Sequence, residues 1–85
     1  MFHRIESARA LPAGQLHVVF TDGTAKVYDT NALVTRHPAF SALSNAAVFN
    51  AVRVDSGGYG VSWNDDLDLS CNELWENGVP QPLGF

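Results

Sequence analysis

Phe49-Asn-Ala-Val-Arg-Val-Asp-Ser-Gly-Gly-Tyr-Gly-Val-Ser-Trp-Asn-Asp-Asp-Leu-Asp-Leu-Ser-Cys-Asn-Glu-Leu-Trp-Glu-Asn-Gly78 is the stretch whose reading decides the fold. It reads as a strand, a glycine turn, a second strand, an acidic loop and a capped helix. With Gly57-Gly58 as the loop, Val54 faces Val61 and Val52 faces Trp63, while Arg53 meets Ser62 and Asp55 meets Gly60 on the opposite face. Apolar and polar sides separate, as a half-buried hairpin requires. Ser70-x-x-Glu73 has the form of a capping box, and Leu69 with Leu74 has the spacing of a hydrophobic staple. Asn77-Gly78 then offers a left-handed stop to the helix.

Working outward, Ile5 to Leu11 reads as a first strand, with Glu6 and Arg9 marking an exposed or edge position. Pro12-Ala-Gly14 breaks it. Gln15 to Phe20 places Leu16, Val18 and Phe20 at period two, and Asp22-Gly23 suits a two-residue hairpin turn. That turn would set Phe20 opposite Ala25, Val18 opposite Val27 and Leu16 opposite Asp29, with Val19 facing Lys26 and His17 facing Tyr28. Asp29-Thr30-Asn31 supplies caps for a short helix at Ala32 to Val34. His37-Pro38 starts another, with Phe40 and Leu43 as its buried side and Ser44-Asn45 ending it. The expected architecture is α+β: an antiparallel sheet of four to five strands built from two hairpins, with two or three short helices on one face. Residues 1–78 form one domain, and 79–85 an extended C-terminal tail.

Composition narrows the function classes. With 85 residues and a formal charge of −4, the chain has basic residues only at Arg4, Arg9, Lys26, Arg36 and Arg53, scattered along its length. Nucleic-acid affinity rests on clustered Lys and Arg that release counterions, so direct binding to nucleic acid is not expected. A lone Cys71 cannot close an internal disulfide, which suits a reducing cytosol. Met1-Phe-His-Arg leads into charged residues where a secretory leader would run apolar, and no stretch approaches the roughly 20 apolar residues of a membrane-spanning helix. A cytoplasmic location without membrane contact is the expectation.

Phe20-x-Asp22-Gly23, Tyr28-Asp29 before a short helix, Phe49-x-x-Val52-x-Val54-Asp55, then Trp63, Asp66-Leu67-Asp68-Leu69 and Glu73-Leu74-Trp75 follow one another in an order that resembles a small bacterial family, domain of unknown function 2442. The resemblance spans roughly residues 5 to 76. It implies a sheet with short helices and no established activity. It also implies pairing with a small co-encoded protein, in a toxin–antitoxin-like arrangement. Some members carry a helix-turn-helix segment after the domain, whereas only seven residues follow Gly78 here.

Asp65-Asp66-x-Asp68 with Glu73 and Glu76 holds five of the nine acidic residues and no basic one. Such a run can shape a loop and a helix start, hold Ca²⁺ or Mg²⁺, present a negative patch to a basic protein, or supply paired carboxylates for acid–base chemistry. The EF-hand pattern fails for want of its glycine and spaced ligands. His3, His17 and His37 with Cys71 match no zinc spacing. Gly57-Gly58-Tyr-Gly60 lacks the lysine and following helix of a phosphate loop. Cys71 would sit at the first helical position, where the dipole favours a thiolate and the acidic neighbours oppose it. Trp63 alternates in phase with Val61 and is expected in the core. Trp75 adjoins Leu74, so the two side chains diverge, and the Pro80–Phe85 tail or a second copy is expected to cover the indole.

The expected function is a non-catalytic, cofactor-free protein-interaction or regulatory module. Asp65, Asp66, Asp68, Glu73, Trp75 and Glu76 form its contact surface, Trp75 being the buried anchor. Its partner would be a basic, co-encoded protein, with homodimerisation through a sheet edge as a second route. The alternative is a small-ligand- or metal-binding module, or a small enzyme, using the Asp65, Asp66 and Asp68 carboxylates.

Overall fold

Two antiparallel sheets carry the chain, and the computed structural model describes residues 3–81 of it. Sheet A has four strands in the spatial order β1 (Ile5–Leu11), β2 (Gln15–Phe20), β3 (Ala25–Asp29) and β7 (Val79–Pro80). Sheet B has three, β4 (Arg53–Val54), β5 (Gly60–Asn64) and β6 (Leu67–Ser70). Between and after them lie α1 (Thr30–Arg36), α2 (Ala46–Phe49) and α3 (Cys71–Asn77). The expected α+β class holds, with the strands shared between two sheets. β1 lies at an edge of its sheet, as its charged residues indicated.

The first hairpin turns where Asp22-Gly23 placed it, but through three residues. Phe20 N–H bonds the Thr24 carbonyl at 2.8 Å, leaving Thr21, Asp22 and Gly23 as the loop. Gly23 takes φ 92° while Asp22 stays in the ordinary region, so a three-residue loop with a left-handed glycine replaces the two-residue primed turn. One extra loop residue slips the register by one: Leu16 faces Tyr28, Val18 faces Lys26 and His17 faces Val27. Every side chain of β3 changes face as a result. Tyr28 turns into the core at 3% exposure, and Val27 turns out beside His17.

In the second hairpin Arg53 pairs with Ser62 and Val54 with Val61, as the sequence predicted. The loop is wider than Gly57-Gly58 alone, since Asp55 N–H bonds the Gly60 carbonyl at 2.9 Å and closes it around residues 56–59. Widening a loop equally on both sides preserves the register. The acidic loop expected next is a tight turn at Asp65-Asp66 followed by β6, which pairs Leu69 with Val61 and Asp68 with Ser62. A register irregularity between Ser62 and Asn64 places a bulge at Trp63. Its ring is 4% exposed, as expected for a core residue, and its indole N–H donates to the Phe49 carbonyl at 3.2 Å.

α1 is capped by Asp29, whose carboxylate accepts from Asn31 N–H at 2.9 Å. The buried Thr30 hydroxyl donates to the Gly14 carbonyl at 2.7 Å, and the Asn31 amide donates to the Ala13 carbonyl at 2.8 Å. These bonds pin the helix start to the β1–β2 turn, where Ala13 holds φ 65°. Pro38–Ser44 forms 3-10 turns, and Asn45 opens α2 by accepting from Ala47 and Val48 N–H. Leu16, Val18, Phe20, Val61 and Leu74 are the most deeply buried members of one core that both sheets supply. Val79-Pro80 of the extended C-terminal segment pairs with Lys26-Val27, and residues 82–85 lie outside the described residues.

Candidate functional site

The carboxylates singled out in the sequence are set by β5, β6 and α3. Asn64 forms the turn, its side-chain oxygen accepting from Asp66 N–H at 2.8 Å and Leu67 N–H at 3.0 Å. That side-chain-directed turn leaves Asp65 and Asp66 exposed at its tip. Strand alternation then buries Leu67 and Leu69 and turns Asp68 outward, in one row with Ser62 and Arg53. Ser70 caps α3 by accepting from Glu73 N–H at 3.1 Å.

Glu73 does not return the second half of a capping box. Its Oε2 accepts the Tyr28 hydroxyl at 2.7 Å, joining α3 to β3. Burial, and then this bond to a carboxylate, hold the Tyr28 hydroxyl well above the usual tyrosine range. Leu74, one residue on, is fully buried, and Glu76 is exposed. Gly78 ends α3 with φ −73°, so the left-handed stop expected there does not form. The position is tight instead, because an added Cβ would come within 2.6 Å of the Leu74 carbonyl oxygen.

Trp75 is half-buried and covered from within the chain. The His3 ring stacks on its indole at 3.4 Å and 12°, and Phe20 meets it edge-on at 4.9 Å. Lys26 Nζ lies 4.2 Å from the ring centroid and donates to the Trp75 carbonyl. Among the described residues His3 and Lys26 lie against the indole, and most of the tail expected to cover it, residues 82–85, lies outside them. Neither contact has a local sequence signal, since both join residues far apart in the chain.

Cys71 is buried, and its thiol donates a hydrogen bond to the His3 carbonyl oxygen at 3.1 Å. Burial pushes its thiol up, and the nearby Arg4 only partly opposes this. No group of three or more His, Cys, Asp or Glu side chains is arranged to hold a metal ion among the described residues. The glycine loop keeps Gly58 against β1, and Arg4 lies over the exposed Tyr59 ring at 4.3 Å.

One concavity adjoins the acidic segment. A cleft of about 290 Å³ opens between α1 with the following Pro38–Ser44 turns and β6 with the start of α3. Leu33, Phe40 and Leu69 give it apolar lining, and Asp68 and Glu73 reach it from the β6–α3 side. Sequence reasoning named those two acids and paired Phe40 with Leu43. It missed the cleft because two separate parts of the chain supply its sides.

Residues 5–80 match the family described as protein of unknown function (DUF2442), and the chain belongs to that family. Curated proteins and solved structures give no match. No helix among the described residues is long and apolar enough to cross a membrane.

Proposed function

We propose, from this family membership and the exposure of the acidic segment, that the chain is a non-catalytic cytoplasmic module that binds a basic protein encoded beside it, in a toxin–antitoxin-like pair. One observation carries the reading: Asp65, Asp66, Asp68 and Glu76 are all exposed within a segment containing no lysine or arginine. Carboxylates so placed steer and orient a positively charged partner, and steering of this kind weakens with salt. Trp75 contributes from beneath His3 and Lys26, holding α3 against sheet A so that the acidic surface keeps its shape.

The test is co-expression of the tagged chain with its genomic neighbour, followed by capture at low and high salt. A one-to-one complex with a basic protein is expected, weakened by Asp65→Lys with Asp66→Lys. Capture indifferent to salt and to that charge reversal overturns the reading, as does no capture alongside thermal stabilisation by Ca²⁺ or Mg²⁺.

A further inference from the structure

The cleft beside the acidic segment has a chemistry that the exposed carboxylates alone lack. Leu33 and Leu69 are buried and form its floor, with the half-buried Phe40 alongside. Asp68 and Glu73 stand on one side, and Arg36 with His37 on the other. Glu73 is anchored by the Tyr28 hydroxyl at 2.7 Å, whereas Asp68 is exposed where β6 lines the cleft. An apolar floor bordered by one fixed and one exposed carboxylate is complementary to an apolar side chain next to an ammonium or guanidinium group.

Resting on the protein-binding reading above, we infer that this cleft is the anchor site for the partner, taking a short segment in which an apolar residue adjoins a lysine or arginine. The apolar side chain lies over Leu33, Phe40 and Leu69, and the basic group reaches Asp68 and Glu73. Arg36 and His37 face the segment's backbone carbonyls from the other side. Because the chain's own residues cover Trp75, the anchor is the partner's side chain entering this protein, the reverse of Trp75 entering the partner. The acidic turn at Asp65-Asp66 serves the encounter, and the cleft sets the sequence preference.

Titration of the full isotope-labelled chain with the blocked peptide acetyl-Gly-Lys-Leu-Gly-amide, and with its Glu-Leu counterpart, tests this. Saturating shifts at Leu33, Phe40, Asp68 and Leu69 amides are expected with the first peptide and not with the second. Asp68→Lys, an exposed strand position, should weaken the Lys-Leu peptide by roughly tenfold. Phe40→Ser should also weaken the Lys-Leu peptide, through loss of the apolar contact rather than of charge. Shifts confined to the Asp65-Asp66 turn, no saturable shifts with millimolar peptide, or unchanged binding by Asp68→Lys overturns the inference. If partner capture still depends on Asp65 and Asp66 in that case, the protein-binding reading survives and the cleft assignment alone falls.

Discussion

Tyr28 and Glu73 show how one buried pair decides the faces of a strand. The bond between them needs Tyr28 turned inward, and the three-residue loop provides that register. Tyr28→Phe should cost about 2 kcal/mol in urea unfolding at pH 7, the usual net worth of a hydrogen bond to a charged group. Its pH signature follows from the raised hydroxyl. The stabilisation is fully present below the unfolded-state value of 10.0 and is lost as pH rises toward the folded one. The variant should therefore lose less stability than the parent between pH 9 and 11, and parallel curves would refute the linkage. Cys71, also raised by burial, adds a loss of the same sign in both proteins as pH climbs past its ordinary 9.0. Glycines divide by what surrounds them. Gly23 at φ 92° has nothing within 4 Å of an added Cβ, so Gly23→Ala should cost only the left-handed strain, about 1 kcal/mol. Gly58 at φ 76° would drive a Cβ to 2.5 Å from the Ile5 carbonyl oxygen, so Gly58→Ala should cost several-fold more. Equal losses in thermal melts would show that β1 gives way readily.

At the scale of elements, α3 separates two roles that the Ser-x-x-Glu spacing merges. Ser70→Ala removes the side-chain cap at its start and should cost about 1 kcal/mol. Glu73→Gln keeps an oxygen acceptor for the Tyr28 hydroxyl and should cost less than Ser70→Ala. The reverse order in denaturant melts would restore the reciprocal capping box. The same element shows why part of the fold was legible. Local chemistry marked its start at Ser70 and its end near Gly78, whereas the stacking of His3 on Trp75 leaves no local trace. The hairpins teach a related lesson. In the second, Val54 and Val61 fix the pairing whatever the loop width, because register depends only on the sum of paired positions. In the first, Asp-Gly fits either a two- or a three-residue loop, and the return strand carries Ala25, Val27 and Tyr28, so either face could be buried. Packing against Glu73 on a distant helix settles it. β6 was hidden because Asp65, Asp66 and Asp68 outweighed the Leu67-x-Leu69 alternation, although alternation is the stronger physical signal. The cleft-lining acids were legible, and so was Phe40 as an apolar residue, but not their meeting, which joins two separate parts of the chain.

Across the whole molecule, the two sheets share one core, and both ends of the described chain return to the same corner. His3 lies on Trp75, and Lys26, which also touches Trp75, pairs with Pro80. Cooperative unfolding of both sheets as one unit is the natural outcome of a core to which Leu16, Val61 and Leu74 all belong. The meeting of the ends at Lys26 has a topological consequence. The chain could be stitched into a ring through residues 82–85 and a short linker, then reopened between Asp22 and Gly23, where space is free. Such a permutant should keep the parent's circular-dichroism spectrum and a single melting transition, and a molten product would show that the order of synthesis matters to this fold.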